Sequence, residues 1–230
     1  MTIVFYDLIG SDPARPFSPH CWKVALALAH KGLDHRSQLT PYRDIPTVEN
    51  GASKTLPVLR DGERVVADSF AIAEHLEDRY PNRPTLFGGP GGRAAARFVE
   101  RWSQFTVLPM LFAAVALDVH DRLDPQDQAY FRSTREQRLG RSLEAAAEGR
   151  EGSVDALRKA FDPLRDMLRY QPFMGGSSPL FADYIVAGGL QWVRVVSTFR
   201  FLDASDPVAE WFERCLRLHG GVLERVPAAT

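Results

Sequence analysis

The chain has 230 residues, 45% of them hydrophobic and 25% charged, and its 28 Lys and Arg against 29 Asp and Glu leave a formal net charge of -1. That length buries one large core or two modest ones, and that charge supplies no polycationic face for nucleic acid or for an acidic membrane. Cys21 and Cys215 lie too far apart for a CxxC zinc pair and are too few for a disulfide framework, the opening Met-Thr-Ile-Val-Phe-Tyr-Asp has no secretory character, and no uninterrupted apolar stretch reaches spanning length. The expected setting is a reducing cytoplasm.

Ile3 to Tyr6 is a short apolar run that reads as a strand. Pro19 to His30 keeps Trp22, Ala25, Leu26 and Ala29 at helical spacing until Gly32 stops it. A polar strand over Arg36 to Thr40 precedes a loop with Pro41 and Pro46. Two further strands, Thr55 to Arg60 and Arg64 to Ala67, are joined at Asp61-Gly62, a pair that tolerates positive φ in a tight hairpin. Ser69 to Tyr80 reads as a helix with Ile72, Ala73 and Leu76 on one face, ended by Pro81. The order βαβ(α)ββα is that of a thioredoxin-like α/β domain.

The architecture then changes. Arg83 to Gly92 holds too many breakers for an element and reads as a linker. Beyond it only helical periodicity is present: Ala94 to Asp121, with Pro109 predicted to kink it, Pro125 to Glu148, Val154 to Tyr170, Phe181 to Thr198, and Pro207 to His219. The expected organisation is an α/β domain over 1–82, a linker over 83–92 and an all-helical bundle over 93–230.

Several residues have two readings each. Ser18-Pro19 fits a helix N-cap followed by proline at the first helical position. Asp68-Ser69 also opens a helix, where capping satisfies orphan N–H groups and where the positive helix end suits a bound carboxylate. Pro57 stands where a strand would need a ladder donor, so its segment is either an edge strand or specially held. Ser18-Pro19-His20-Cys21 looks like a redox CxxC whose first cysteine has become serine, which argues against thiol–disulfide exchange and leaves Cys21 packed under the first helix turn. His20 has two readings as well, as a residue leaning toward a site or, more simply, as a helix-surface residue. Asp118-Val119-His120-Asp121 gathers possible metal ligands, but residues two apart on a helix point to different sides, so no metal site is expected.

Taken in order, Ser18-Pro19-His20-Cys21-Trp22-Lys23-Val24, Thr55-Leu56-Pro57-Val58-Leu59 and Asp68-Ser69-Phe70-Ala71-Ile72-Ala73-Glu74-His75-Leu76 resemble a glutathione transferase. The helical half resembles the bacterial glutathione-dependent β-aryl etherases and their fungal relatives, through Asp118 to Asp121, Pro125-Gln126-Asp127, Tyr130-Phe131-Arg132, Arg135, Leu139-Gly140, Gly149-Arg150-Glu151, Ala156 to Ala160 and Ala182-Asp183-Tyr184. One departure is Leu180, where such proteins carry a capping Ser, Thr or Asn three residues before the aspartate.

The resemblance implies glutathione as cofactor, bound on the α/β half. Ser18 meets its sulfur, Leu56 before Pro57 pairs with its cysteinyl backbone like an added strand, Ser69 holds its γ-glutamyl carboxylate, and Asp68 meets its ammonium group. Arg43 and Lys54 are candidates for the glycyl carboxylate. A free thiol of pKa about 8.5 is only about 3% ionised at neutral pH, and lowering it by two units needs about 2.7 kcal/mol of differential stabilisation, the size of one good hydrogen bond plus a helix dipole. The thiolate then attacks an electrophilic carbon of a small apolar or aromatic partner, lined by Leu8, Ile9, Phe105, Pro109 and Phe112, and in etherase relatives a phenolate leaves. Rival readings on the same scaffold are a glutathione-dependent isomerase or peroxidase, or a binding protein without turnover. The resemblance also implies a homodimer.

Overall fold

A computed structural model describes residues 2–230. Its first part is a four-stranded mixed sheet in the order β2-β1-β3-β4, with β1 spanning Ile3–Leu8, β2 His35–Thr40, β3 Val58–Asp61 and β4 Arg64–Ala67. β1 pairs parallel to β2 and antiparallel to β3, so it is hydrogen-bonded on both sides and almost wholly buried, which its near-continuous apolar run anticipates. β2 is an exposed edge, and its sequence His-Arg-Ser-Gln-Leu-Thr blunts that edge with polar side chains. Pro57 falls one residue outside β3 and is asked for no ladder bond, which corrects the expected strand start at Thr55. At the hairpin Asp61 stays in the strand opposite Arg64, and of the expected Asp61-Gly62 pair only Gly62 takes positive φ, at 62°.

Helices α1, Pro19–His30, and α2, Ser69–Arg79, complete this part. The expected loop after β2 is a run of 3-10 turns over Tyr42–Asn50. Lys31 ties the end of α1 to α2 and the segment beyond it: its buried ammonium sits 2.7 Å from Glu77 and donates to the carbonyls of Tyr80 and Pro84. The segment read as a linker is anchored as well. Leu86 and Phe87 are buried, and Phe181 N–H donates to the Leu86 carbonyl at 2.8 Å.

The rest is helical. α3, Pro90–Trp102, begins inside the expected linker and passes through a wide turn at Ser103–Val107 into α4, Leu108–Asp121. The cause is local: Pro109 cannot donate to the turn before it, and the Leu108 N–H reaches back five residues to the Ser103 carbonyl. One helix was expected over 125–148, but α5, Pro125–Leu139, ends at Gly140, whose φ of 67° an L side chain resists, and α6 spans Leu143–Glu148 under a Ser142 cap. The expected helix over 154–170 likewise splits, into α7, Val154–Ala160, and α8, Asp162–Met167. α9, Phe181–Val196, is buried along nearly its whole length and forms the axis of the molecule, while α10 spans Pro207–Leu216.

Packing between the two parts fixes the site. α9 lies against α1 at Gly188, where a β-carbon would fall 2.5 Å from the Pro19 carbonyl oxygen. Only glycine allows that approach, and it holds the start of α1, and so Ser18, against the helical part. The pattern of a mixed sheet with flanking helices leading into a helical bundle is the one expected for this chain.

Candidate active site

A cleft of about 750 Å³ opens between the α/β part and helices α4, α5 and α9. Ser18 lies in its wall, 4% exposed. Its Oγ accepts the N–H groups of His20 and Cys21, each at 3.3 Å, which caps α1. A hydroxyl has one proton and two acceptor positions, so the two N–H bonds occupy the acceptor side and leave the O–H as a donor. The cap reading and the sulfur-facing reading of Ser18 are thus compatible.

The Leu56–Pro57 peptide bond is cis, and Leu56 lines the same cleft. Neither the N–H nor the carbonyl of Leu56 makes a hydrogen bond among the described residues. Asp68 caps α2, accepting from the N–H of Phe70 at 2.9 Å and Ala71 at 3.0 Å, with its own φ at 78°. Ser69 is buried at the first position of that helix. Asp68 and Ser69 stand outside the residues that line the cleft.

The two cations proposed for a glycyl carboxylate differ sharply. The backbone N–H and guanidinium of Arg43 are both taken by Asp127, at 3.0 and 3.2 Å, and the guanidinium also lies 3.4 Å from Asp124. Lys54 lines the cleft with no ion pair or hydrogen bond among the described residues. Lys54, not Arg43, is free to meet an incoming carboxylate.

Of the five apolar residues expected to hold a substrate, Leu8 and Phe112 line the cleft. Ile9 and Pro109 do not, and Phe105 is turned out to solvent, 76% exposed beneath the Arg101 guanidinium. The wide turn at Ser103–Val107 shifts the helical register, so the face presented to the cleft is Gln104, Leu108 and Phe112, at spacings of four. Phe112 stacks on Trp192 with ring centroids 6.3 Å apart. Sequence reasoning missed Trp192, Tyr42 and the α5 residues Tyr130, Phe131, Arg135 and Arg138, all of which line the cleft. Tyr130, Phe131 and Arg135 belong to the stretch that carried the family resemblance, the one signal that could have drawn attention to them.

His20 lines the cleft and is not the helix-surface residue expected, and its Nδ1 lies 3.2 Å from the Lys23 ammonium. Burial holds the His20 imidazole well below its ordinary pKa, so it is neutral and accepts from Lys23. Lys23 is itself fully buried, and burial brings its pKa down to about 8. Cys21 packs beneath the helix start, where burial pushes its thiol well up and away from reactivity. Asp118 pairs with Arg150 and His120 with Asp121, and among the described residues no three His, Cys, Asp or Glu side chains gather as a metal set would.

Comparison with known proteins gives the same family from both halves. Residues 13–84 match the glutathione S-transferase N-terminal domain and residues 94–224 the glutathione S-transferase C-terminal domain. The chain is 27% identical over 220 residues to a glutathione S-transferase-like protein of Aspergillus flavus, an alignment that takes in 82% of this chain and 79% of that one. The crystal structure of a glutathione transferase from Phanerochaete chrysosporium matches with a TM-score of 0.77 at 30% identity, covering 100% of this chain and 99% of that one. A glutathione S-transferase of Ceriporiopsis subvermispora, solved in complex with glutathione, matches with a TM-score of 0.74 at 26% identity over 97% and 94% of the two chains. The chain belongs to the glutathione S-transferase family.

Proposed function

We propose that this chain is a glutathione transferase in which Ser18 stabilises the thiolate of bound glutathione for attack on an aromatic electrophile. The observation that carries this reading is the Ser18 hydroxyl at the start of α1 in the wall of the cleft, its acceptor side occupied by two backbone N–H groups. The hydroxyl donor and the positive end of α1 both favour sulfur as the anion. Leu56 offers an unused N–H and carbonyl to the cysteinyl backbone of the ligand, as an added strand would use them, and Lys54 meets the glycyl carboxylate. At the γ-glutamyl end, Ser69 takes the carboxylate at the start of α2. Asp68 serves the ammonium group while capping the helix.

In the reaction the thiol first gives its proton to solvent. The sulfur lone pair then forms a bond to the electrophilic carbon, and the bond from that carbon to the leaving oxygen breaks with its electron pair, releasing a phenolate. A β-aryl ether next to a ketone is the substrate class this reading favours, because a stacked Phe112–Trp192 pair suits one aryl ring and a thioether forms as the other departs. Holding thiolate and carbon together in one cleft supplies much of the acceleration. The protein acts in the cytoplasm, where the buried thiols of Cys21 and Cys215 stay reduced, and as a homodimer; sedimentation at micromolar protein should give twice the chain mass, and a monomer mass refutes the dimer.

Incubation with an α-keto β-aryl ether bearing a fluorescent phenol tests the reaction. Phenol release that requires glutathione supports the reading. Release that is independent of glutathione, or no consumption of either this ether or an activated aryl halide, refutes it.

A further inference from the structure

The geometry points to an anionic aromatic electrophile, its acidic group held by Arg135 and Arg138 on the helical wall of the cleft. This specifies the substrate class of the proposed transferase site and rests on that reading. The chain as a whole carries a net charge of -1, yet the cleft is lined by four cationic side chains, Arg43, Lys54, Arg135 and Arg138, and one carboxylate, Asp127. That carboxylate is spent on Arg43. Among the described residues that line the cleft, no further carboxylate answers the remaining positive charge.

Ion pairing separates the arginines of α5. Arg132 is held by Glu136 and Glu144, each at 2.9 Å. Arg135 and Arg138, three residues apart and so on neighbouring positions of one face, have no ion pair among the described residues. Each guanidinium lies over an aromatic ring, Arg135 at 5.0 Å from the centroid of Phe131 and Arg138 at 5.1 Å from that of Phe112. Stacking of this kind supports the flat face of the fork; Arg135 Nη1 donates to Thr134 Oγ1 at 3.0 Å, and its remaining N–H groups and those of Arg138 are left for a planar, two-oxygen acceptor. Phe112 is also the ring stacked on Trp192, so the free guanidinium edge and the aromatic slot are adjacent. Ser18, His20 and Arg138 line the same cleft, so the arginines and the reacting centre share one cavity.

Glutathione has two carboxylates of its own that could claim these arginines, so the test separates the two sources of anion. Dinitrobenzoate and its methyl ester share one aromatic frame and differ in charge, and neither carries a leaving group. Each is titrated calorimetrically into the glutathione-saturated protein. The carboxylate should bind at least about tenfold more tightly than the ester, the size of a charge-assisted hydrogen bond. In the double variant Arg135→Gln, Arg138→Gln that ratio should fall to about one, while Arg138→Lys, which keeps the charge and loses the fork, should retain part of it. Equal affinity of the two ligands for the unaltered protein overturns the inference. So does a double variant that loses glutathione affinity in place of the carboxylate preference, because the arginines then serve the cosubstrate. Since neither ligand reacts, the preference is measured whether or not the protein turns over an ether, and failure of the transferase reading is visible separately.

Discussion

The hydroxyl of Ser18 and the backbone N–H of Cys21 are hydrogen-bonded at 3.3 Å, and that bond joins the stability of α1 to the chemistry of the cleft. It occupies an acceptor position of the oxygen and leaves the O–H as a donor. Ser18→Ala therefore removes two things at once, a helix cap and a donor to sulfur. The expected outcome is a loss of about 1 kcal/mol in stability and about a hundredfold fall in kcat with glutathione affinity little changed, measured by denaturant melts and steady-state kinetics. An unchanged kcat would show that another group meets the sulfur.

Lys54 is separable from Ser18. It lines the cleft without a partner, so Lys54→Ala should weaken glutathione binding by about tenfold or more while leaving kcat at saturation nearly unaltered. The corresponding change at Arg43 should weaken the contact to α5 instead, because Arg43 is already engaged by Asp127. Equilibrium dialysis of glutathione against the two variants distinguishes them, and equal losses would contradict the assignment.

Asp7 sets a pH dependence of stability. Its carboxyl lies buried on β1 with Oδ1 unpartnered, and burial raises its pKa from 3.8 to about 7. Between those values the folded chain holds a proton that the unfolded chain has released, so this group lowers stability as pH rises through that window, and the full loss is present above about pH 7. Asp7→Asn removes the burden and should raise stability by about 2–4 kcal/mol at pH 8 with little gain near pH 4. Thermal melts of both proteins across that range check it; a gain independent of pH would show that the carboxyl is not responsible.

Asp183 replaces the missing cap at Leu180. Its buried carboxylate accepts the N–H of Leu180 at 3.0 Å, Met174 at 2.8 Å and Gly175 at 3.0 Å, and the indole N–H of Trp211 at 3.2 Å. The expected Ser, Thr or Asn is absent, yet the aspartate still secures the start of α9 and ties it to α10. Asp183→Ala leaves four donors without their acceptor and should cost about 3–5 kcal/mol in a chemical melt. A cost below about 1 kcal/mol would mean that water replaces the carboxylate freely.

Local signals carried the sequence reading furthest. The limits of α1 were legible because Ser18 as cap, Pro19 at the first position and Gly32 past the end are all near-neighbour chemistry. So were the mixed sheet and the change to helices after Arg83. The helical wall of the cleft was not. Phe105 looked like one stripe with Pro109 and Phe112, and the wide turn that rotates it away arises from a proline effect whose size a periodic pattern does not carry. Arg43 was a candidate for the glycyl carboxylate because its partner Asp127 is distant in sequence, and Arg138 drew no attention, nor Arg135 beyond the family resemblance, because nothing local says which face of α5 meets the sheet domain. Tertiary pairing decided those positions.

Thiolate formation at Ser18 is the step on which the proposed chemistry rests. The most direct measurement is the ultraviolet thiolate band of glutathione bound to the protein, titrated against pH and compared with the same titration of Ser18→Ala. The expected apparent pKa in the unaltered protein is about 6.5, some two units below a free thiol, returning to about 8.5 in the variant. A bound thiol that titrates like free glutathione, or one whose pKa is the same in both proteins, would contradict it.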